Sequence, residues 1–478
     1  MARSSLGNED KDCITTRAGA DVPQIEPIHD KLVQWGAAGE VEPQIAESWK
    51  TTDGTRWEFK LRGGVKFHNG EPVDAAAWKL GYERKVGPES LSPGELPRMV
   101  KNAEVLGDLA IAFNLNYSDF FPDTVGAICA SPPKYLAQVG EKEYIEKPIG
   151  TGPFKLVKHV RAERFVFQAF ESYYDKARAA RVAEMVQLMA PEQSTRVAML
   201  RTGEVDIADY MEGPPVVELG RDPNIRVLYN KYAYTYLISF NIWWPEVKAS
   251  GPSPLNDVRV RRALSLALDR QALVDKILLG AGDACPQEGA FPYHAAWESN
   301  LPCPEYNPDK ARQLLKEAGY DKLELGFQYI AVELRPVMEA LQGYWEKVGV
   351  KAPLFPTERV AHYGTYRAHK TQPLVQLGVP GYIRDPLSYQ RTVHQCDSWP
   401  SAYCSEEVDR IIAEGRKQID LAKRVEYARR ADKIARDEMA HIPLLYTHAV
   451  YGVGNRVKSY VPGPGNPYLT WLHTIELK

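Results

Sequence analysis

The chain has 478 residues, 44% of them hydrophobic and 25% charged, with a formal net charge of −3. That is the composition of a globular protein long enough for two or three domains, and the near-balanced charge leaves nucleic-acid binding without an electrostatic basis. No run of about 18 or more apolar residues occurs, so no transmembrane helix is expected.

Residues 1–30 are mixed and polar. Met1 to Gly7 (MARSSLG) is too short and too polar for a secretory leader, so the chain is either cytosolic or has already lost one. Residues 40–70 read as β structure. Trp57, Phe59 and Leu61 alternate with polar neighbours between the turn formers Thr51 to Gly54 (TTDG) and Arg62-Gly63-Gly64. From Asp74 the pattern is helical, a capping side chain followed by Ala75, Ala76, Ala77 and Trp78. Residues 148–156 (PIGTGPFKL) pack turn formers ahead of a strand, and Phe165, Phe167 and Phe170 mark further extended chain. Residues 182–203 predict a strand (MVQLMA) and then a helix capped by Ser194 and Gly203, with Val205-Asp206-Ile207 opening the next strand. Strand–helix–strand alternation of this kind builds an α/β layer.

The most aromatic stretch is YAYTYLISFNIWW (232–244), where Tyr232, Tyr234 and Tyr236 share one side of a strand by period 2. Residues 257–279 form an amphipathic helical run with Ala263, Leu264, Ala267 and Leu268 on one face. Residues 308–319 predict a helix, Pro308 early and Gly319 at its end. Residues 405–440 are helical and charged, and HIPLLY (441–446) returns to strand.

Six cysteines are present. Cys285 and Cys303 flank one short loop, Cys396 and Cys404 another, which suits two disulfides in an oxidising compartment, while Cys13 and Cys129 are left without an assigned partner. No CxxC and no histidine cluster at zinc-ligand spacing occurs, so neither a metal nor a cofactor is expected. No GxSxG, GxxxxGK[ST] or HExxH is found, and the GxG of IGTGPFKL precedes a strand rather than opening a helix. His68, beside Asn69-Gly70, reads as a turn residue, and His441 as structural.

Six segments in order carry a family resemblance: VEPQIAESWKTTDGTRWEFKLRGGVKFHNGEPVDAAAW (41–78), IGTGPFKL (149–156), LRTGEVDIA (200–208), LNDVRVRRALSLALDRQALVDKILLG (255–280), YNPDKARQLLKEAGY (306–320) and HIPLLY (441–446). With them the chain, from about residue 26 to residue 455, resembles the family 5 extracellular solute-binding proteins, the dipeptide, oligopeptide and nickel-chelate binders of ABC importers. The resemblance implies an α/β, periplasmic-binding-protein type II-like fold (cluster C), with two lobes, a hinge and an inserted third domain. Lobe I would comprise 1–30, 149–240 and 448–478, the inserted domain 31–148, and lobe II 241–447. The hinge would lie at Phe240-Asn241 and Tyr446-Thr447. A small ligand would be captured in the inter-lobe cleft of a monomer, in the periplasm or on the outer face of the membrane, and delivered to ABC permease subunits. The class is not an enzyme. A ligand sensor or chaperone on the same fold is the alternative, and an α/β hydrolase would need a nucleophile or metal that the motifs do not supply.

Candidate ligand-binding residues follow from the same resemblance. Tyr234, Tyr236 and Trp243 lead into the hinge, and Thr16 and Arg17 lie in the N-terminal segment that faces the cleft in the family. Residues 378–386 (GVPGYIRDP) match the segment crossing lobe II's cleft face. In the family's peptide binders an Asp four residues before that Pro pairs with the peptide's α-amine, and Tyr382 stands there in this chain. A neutral phenol is no counter-ion for an ammonium. Asp385 is acidic but sits one residue before the Pro, so it would point elsewhere. Arg384 and Arg17 offer guanidinium forks for a carboxylate or phosphate instead. Opine-like or acidic ligands, sugars, metal chelates and atypical peptides are therefore the candidates.

Overall fold

Asp74 begins the first long helix as its sequence predicts. Its carboxylate accepts from the Ala77 N–H at 2.8 Å at the start of Ala75–Val86. The strand Arg56–Leu61 buries Trp57, Phe59 and Leu61 and turns Lys60 outward, the period-2 alternation read from the residues. The computed structural model describes the chain apart from residues 17–20, 37–39, 92–93, 95, 126–127, 244–250, 332–333, 382, 384, 399–400, 464 and 466–470.

The chain divides into two compact units. The first comprises Met1–Asn230, Lys417–Ile419 and Ala449–Lys478, and the second Lys231–Arg416 and Asp420–His448. Besides the short Lys417–Ile419 piece, the boundaries between units fall at Asn230/Lys231 and His448/Ala449, and the expected hinge positions Phe240-Asn241 and Tyr446-Thr447 lie within the second unit. The shift has a packing cause. Phe240 is fully buried in the core of the second unit, and Asn241 is fastened there by its N–H to the Pro373 carbonyl (3.0 Å) and its amide to the Thr371 carbonyl (2.8 Å). Tyr446 is likewise buried, and Thr447 pairs with Gly282 across two strands.

In the first unit, Ala2–Arg3 lies parallel to Glu184–Met189 on one side and Ile207–Ala208 on the other. Antiparallel strands Arg164–Ala169 and Phe154–Val160 extend the sheet, and Ile207 pairs with Val453. The segment expected as an inserted domain, 31–148, belongs to this unit but has its own four-stranded antiparallel sheet and its own core around Trp57, Phe59, Trp78, Phe113 and Phe121. Phe59 meets Phe113 edge-on at 6.0 Å between centroids, a geometry that aromatic quadrupoles favour.

The strand Ile225–Phe240 passes from the first unit into the second, where it runs antiparallel to Leu374–Pro380, from Tyr234 opposite Pro380 to Phe240 opposite Leu374. Phe327–Ile330 and Leu354–Thr357 continue that sheet in parallel. The predicted helical run 257–279 is two helices, Val258–Leu266 and Arg270–Lys276, because Asp269 caps the second by accepting from the Ala272 N–H. The helix expected to be capped by Ser194 is capped two residues earlier, by Glu192, and runs Gln193–Arg201. Pro308–Glu317 follows the Asn307 cap, and Gly319 beyond it takes the left-handed conformation (φ 88°).

Candidate functional site

Within the second unit the aromatic strand and the Cys285–Cys303 loop build one cluster. Tyr232, at a left-handed φ of 60°, packs edge-on against Tyr446 (5.3 Å) and Tyr293 (6.3 Å). Phe291 stacks on Tyr293 at 5.4 Å and meets Tyr389 edge-on at 5.6 Å. The Tyr446 hydroxyl donates to the Ala290 carbonyl (2.5 Å) and accepts from the Gln287 N–H (3.0 Å), and burial pushes both the Tyr389 and Tyr446 phenols up, so they stay neutral. The residues between Cys285 and Cys303, PQEGAFPYHAAWESNLP, are rich in proline and aromatics. The loop's contact with Tyr232, about 60 residues away, follows from the long-range sheet and not from local pattern.

This cluster anchors the segment that the resemblance assigned to ligand contact. The Tyr293 hydroxyl donates to the Gly381 carbonyl at 2.6 Å, and the Gly381 N–H donates to the Ala233 carbonyl at 2.8 Å. A few residues on, Asp385 caps the helix Pro386–His394 through the Ser388 N–H (2.8 Å). Its carboxylate also takes a two-pronged pair from Arg424, Nε to Oδ1 at 2.8 Å and Nη2 to Oδ2 at 2.7 Å, with both side chains almost wholly buried. Burial alone would raise the Asp385 carboxyl, but the Arg424 guanidinium prevails and holds it below the usual carboxylate range. Both of these partners of Asp385 are structural, a helix cap and a buried ion pair. Tyr382 and Arg384, between these two anchors, lie outside the described residues, as does Arg17.

The remaining candidates are placed as follows. Tyr236 is a core residue at 6% exposure, its ring 3.1 Å from where a Cβ on Gly378 would stand, a tight approach that a side chain there would press on. Tyr234 is half-buried with its ring centroid 5.9 Å from that of Tyr236. Trp243 is half-buried, edge-on to Tyr403 at 4.7 Å, with the Arg261 guanidinium 5.1 Å from its centroid. Thr16 closes a turn, its N–H and hydroxyl both donating to the Asp12 carbonyl (3.2 and 3.0 Å). Burial of Tyr236 and the engagement of Trp243 favour packing roles for both.

Three disulfides are present: Cys285–Cys303 and Cys396–Cys404, as expected, and Cys13–Cys129, which bridges 116 residues. The last pair went unassigned because its cysteines are brought together only by folding of the first unit. Among the described residues the structure also gathers two sets of metal-type side chains that the spacing argument missed: Cys13, His29 and Cys129, whose two sulfurs are joined in a disulfide, and Glu288, His394 and His441, all buried in the second unit. No helix among the described residues is long and apolar enough to cross a membrane.

Two units of mixed strands and helices, matched along the whole chain by a solved structure, define the class: the type II periplasmic-binding-protein fold. The family model for bacterial extracellular solute-binding proteins, family 5, matches residues 40–400, and the chain belongs to that family. It is 25% identical over 483 residues to the dipeptide-binding protein of Escherichia coli K12, spanning 92% of this chain and 87% of that one. It is 24% identical over 482 residues to heme-binding protein A of Haemophilus influenzae, spanning 92% and 85%. Among solved structures, HbpA2 of Haemophilus parasuis superposes with a TM-score of 0.84 at 24% identity, covering 100% of this chain and 99% of that one. The family's members are binding proteins, and the chain is an extracellular solute-binding protein of the kind that serves ABC importers.

Proposed function

We propose that this protein captures a small solute outside the cytoplasm as a monomer and hands it to the permease subunits of an ABC importer, without chemical conversion. The observation that carries the reading is the family match over 40–400, in a chain whose fold is matched along its whole length. Attachment to the membrane is compatible with this role and is tested by lipid labelling in the native cell. The solute is not a peptide held by its free α-amine. Tyr382 stands where the peptide binders place a carboxylate, and the nearby acid, Asp385, is paired to Arg424. The relatives named above carry ligands as unlike as a dipeptide and heme, so the fold imposes no single ligand chemistry. An opine-like or other acidic solute, read by Arg17 and Arg384, is the preferred class.

A thermal-shift screen of di- and oligopeptides, opines, sugars, organic acids and metal chelates tests the proposal, because a ligand that binds only the folded state raises the melting temperature by mass action. Shifts confined to acidic compounds, lost in Arg384→Ala, support it. Shifts by simple peptides overturn the ligand class. The lobe closure expected from the resemblance is read by small-angle scattering: the radius of gyration falls on adding the solute that shifts the melting temperature, and an unchanged value refutes closure.

A further inference from the structure

Glu288, His394 and His441 converge from three distant stretches of the second unit, and each is at most 1% exposed. Their ligand-type atoms all lie within 4.8 Å of one another. His394 Nε2 is 3.2 Å from Glu288 Oε1, and His441 Nε2 is 3.9 Å from the same oxygen and 3.3 Å from the Val393 carbonyl. The two separations from Glu288 Oε1, 3.2 and 3.9 Å, bracket the roughly 3.4 Å between neighbouring ligand atoms that stand about 2.0–2.2 Å from a tetrahedral ion.

The hydrogen bonds around the cluster orient the rings for that role. The Gln390 amide nitrogen donates to the Gly289 carbonyl at 2.9 Å, which turns the Gln390 oxygen toward His394 Nδ1 at 2.6 Å. Nδ1 therefore carries the hydrogen, and Nε2 presents a bare lone pair to Glu288. His441 Nδ1 meets the Ser239 hydroxyl at 2.9 Å, so the outer nitrogen of this ring too has an oxygen partner. An imidazole whose far nitrogen is held by an oxygen while the near one faces a carboxylate is the arrangement around metal-bound histidines. Arg436, the nearest guanidinium, is engaged by Asp432 and by Glu298 (3.3 Å). A lone pair and a carboxylate oxygen 3.2 Å apart repel unless a proton or a cation lies between them.

We propose that Glu288, His394 and His441 form a buried structural site for a divalent cation of zinc type, which ties the Cys285–Cys303 loop and the strand His441–Gly454 to the helix Pro386–His394. Two imidazoles and one carboxylate suit zinc better than calcium or magnesium, which prefer all-oxygen sets. The site lies inside one unit and is independent of solute capture, so success or failure of the ligand screen does not bear on it.

The test uses the full, disulfide-intact chain, unfolded in denaturant with EDTA and refolded with or without ZnCl2 or CoCl2, since a buried ion is loaded during folding. After desalting, about one zinc per chain is expected by mass spectrometry, with a melting temperature higher by roughly 5 °C at a hundredfold excess over Kd. Cobalt should give the intense visible band of a tetrahedral N/O site, and His394→Gln and His441→Gln should each abolish the band and the retained ion. If refolded wild-type protein retains no ion above the EDTA control and shows no cobalt band, the site is a shared-proton cluster and the proposal falls. Equal ion retention in wild type and both variants overturns it as well.

Discussion

At the residue scale, buried charge and buried imidazole dominate. The Arg424–Asp385 pair is fully desolvated, so removing one partner strands the other in the core. Arg424→Met is expected to lower the unfolding free energy by about 3–5 kcal/mol in a urea titration. Adding Asp385→Asn should recover much of that loss, because Asn still caps the helix without an orphaned charge. A double variant no more stable than the single would refute the pairing argument. His29 makes a second case. Burial first, and the Lys31 ammonium beside it, push its imidazole down to about 3, and its Nε2 lies 3.2 Å from the Lys11 carbonyl. Between that value and the ordinary 6.5 the unfolded chain holds a proton that the native chain lacks. Stability from this group is therefore full above pH 6.5 and is lost as pH falls, by up to about 1.4 kcal/mol per pH unit. His29→Gln should flatten the difference in unfolding free energy between pH 7 and pH 5, and an unchanged slope counts against the assignment.

At the element scale, the PIGTGPFKL motif has a packing explanation. A Cβ on Gly150 would stand 1.9 Å from the Ile28 carbonyl, and the Gly152 N–H donates to that same carbonyl at 2.8 Å. The motif is thus the place where the chain presses backbone to backbone against Pro27–His29, with His68 Nε2 donating to the Gly152 carbonyl at 2.9 Å. Gly150→Ala is expected to cost about 1–3 kcal/mol, measured as a lower denaturation midpoint at unchanged slope. Elements with strong local signals were legible before the structure: Arg56–Leu61 from its alternation, Ala75–Val86 from its Asp74 cap, Pro308–Glu317 from Asn307 and Pro308. The misreadings have local causes too. Asp269 interrupts what looks like a continuous amphipathic run, and the turn at Glu192 starts its helix ahead of the better capping residue Ser194.

At the scale of the whole molecule, the disulfides differ in reach. Cys285–Cys303 and Cys396–Cys404 close short loops and could be paired from spacing. Cys13–Cys129, with a separation of 116, restrains the unfolded chain far more, by about 5 kcal/mol on chain-entropy grounds. Replacing both by Ser should lower the melting temperature well beyond the effect of opening Cys396–Cys404, and no thiol should titrate in the unfolded, unreduced protein. A similar loss for both replacements would show that loop length does not govern these bridges. The division into units obeys the same logic of reach. The long strands Ile225–Phe240 and His441–Gly454 enter the second unit, and the crossing falls where core contacts with Phe240 and Tyr446 give out, upstream of the aromatic run that marked the expected hinge.

By itself the sequence determined the class. Periodicity, caps and ordered motifs are local properties, and enough of them stand in one order to identify a family 5 solute-binding protein and its α/β layers. The tyrosine at position 382, where the resemblance leads one to expect a carboxylate in peptide binders, is likewise read from the identity of one residue and not its surroundings. Only the tertiary structure decided that Asp385 belongs to Arg424, that Tyr236 is core, that Cys13 finds Cys129, and that Glu288, His394 and His441 meet. Each of these joins residues distant along the chain, and such pairings are set by how sheets and helices pack, which no local pattern encodes.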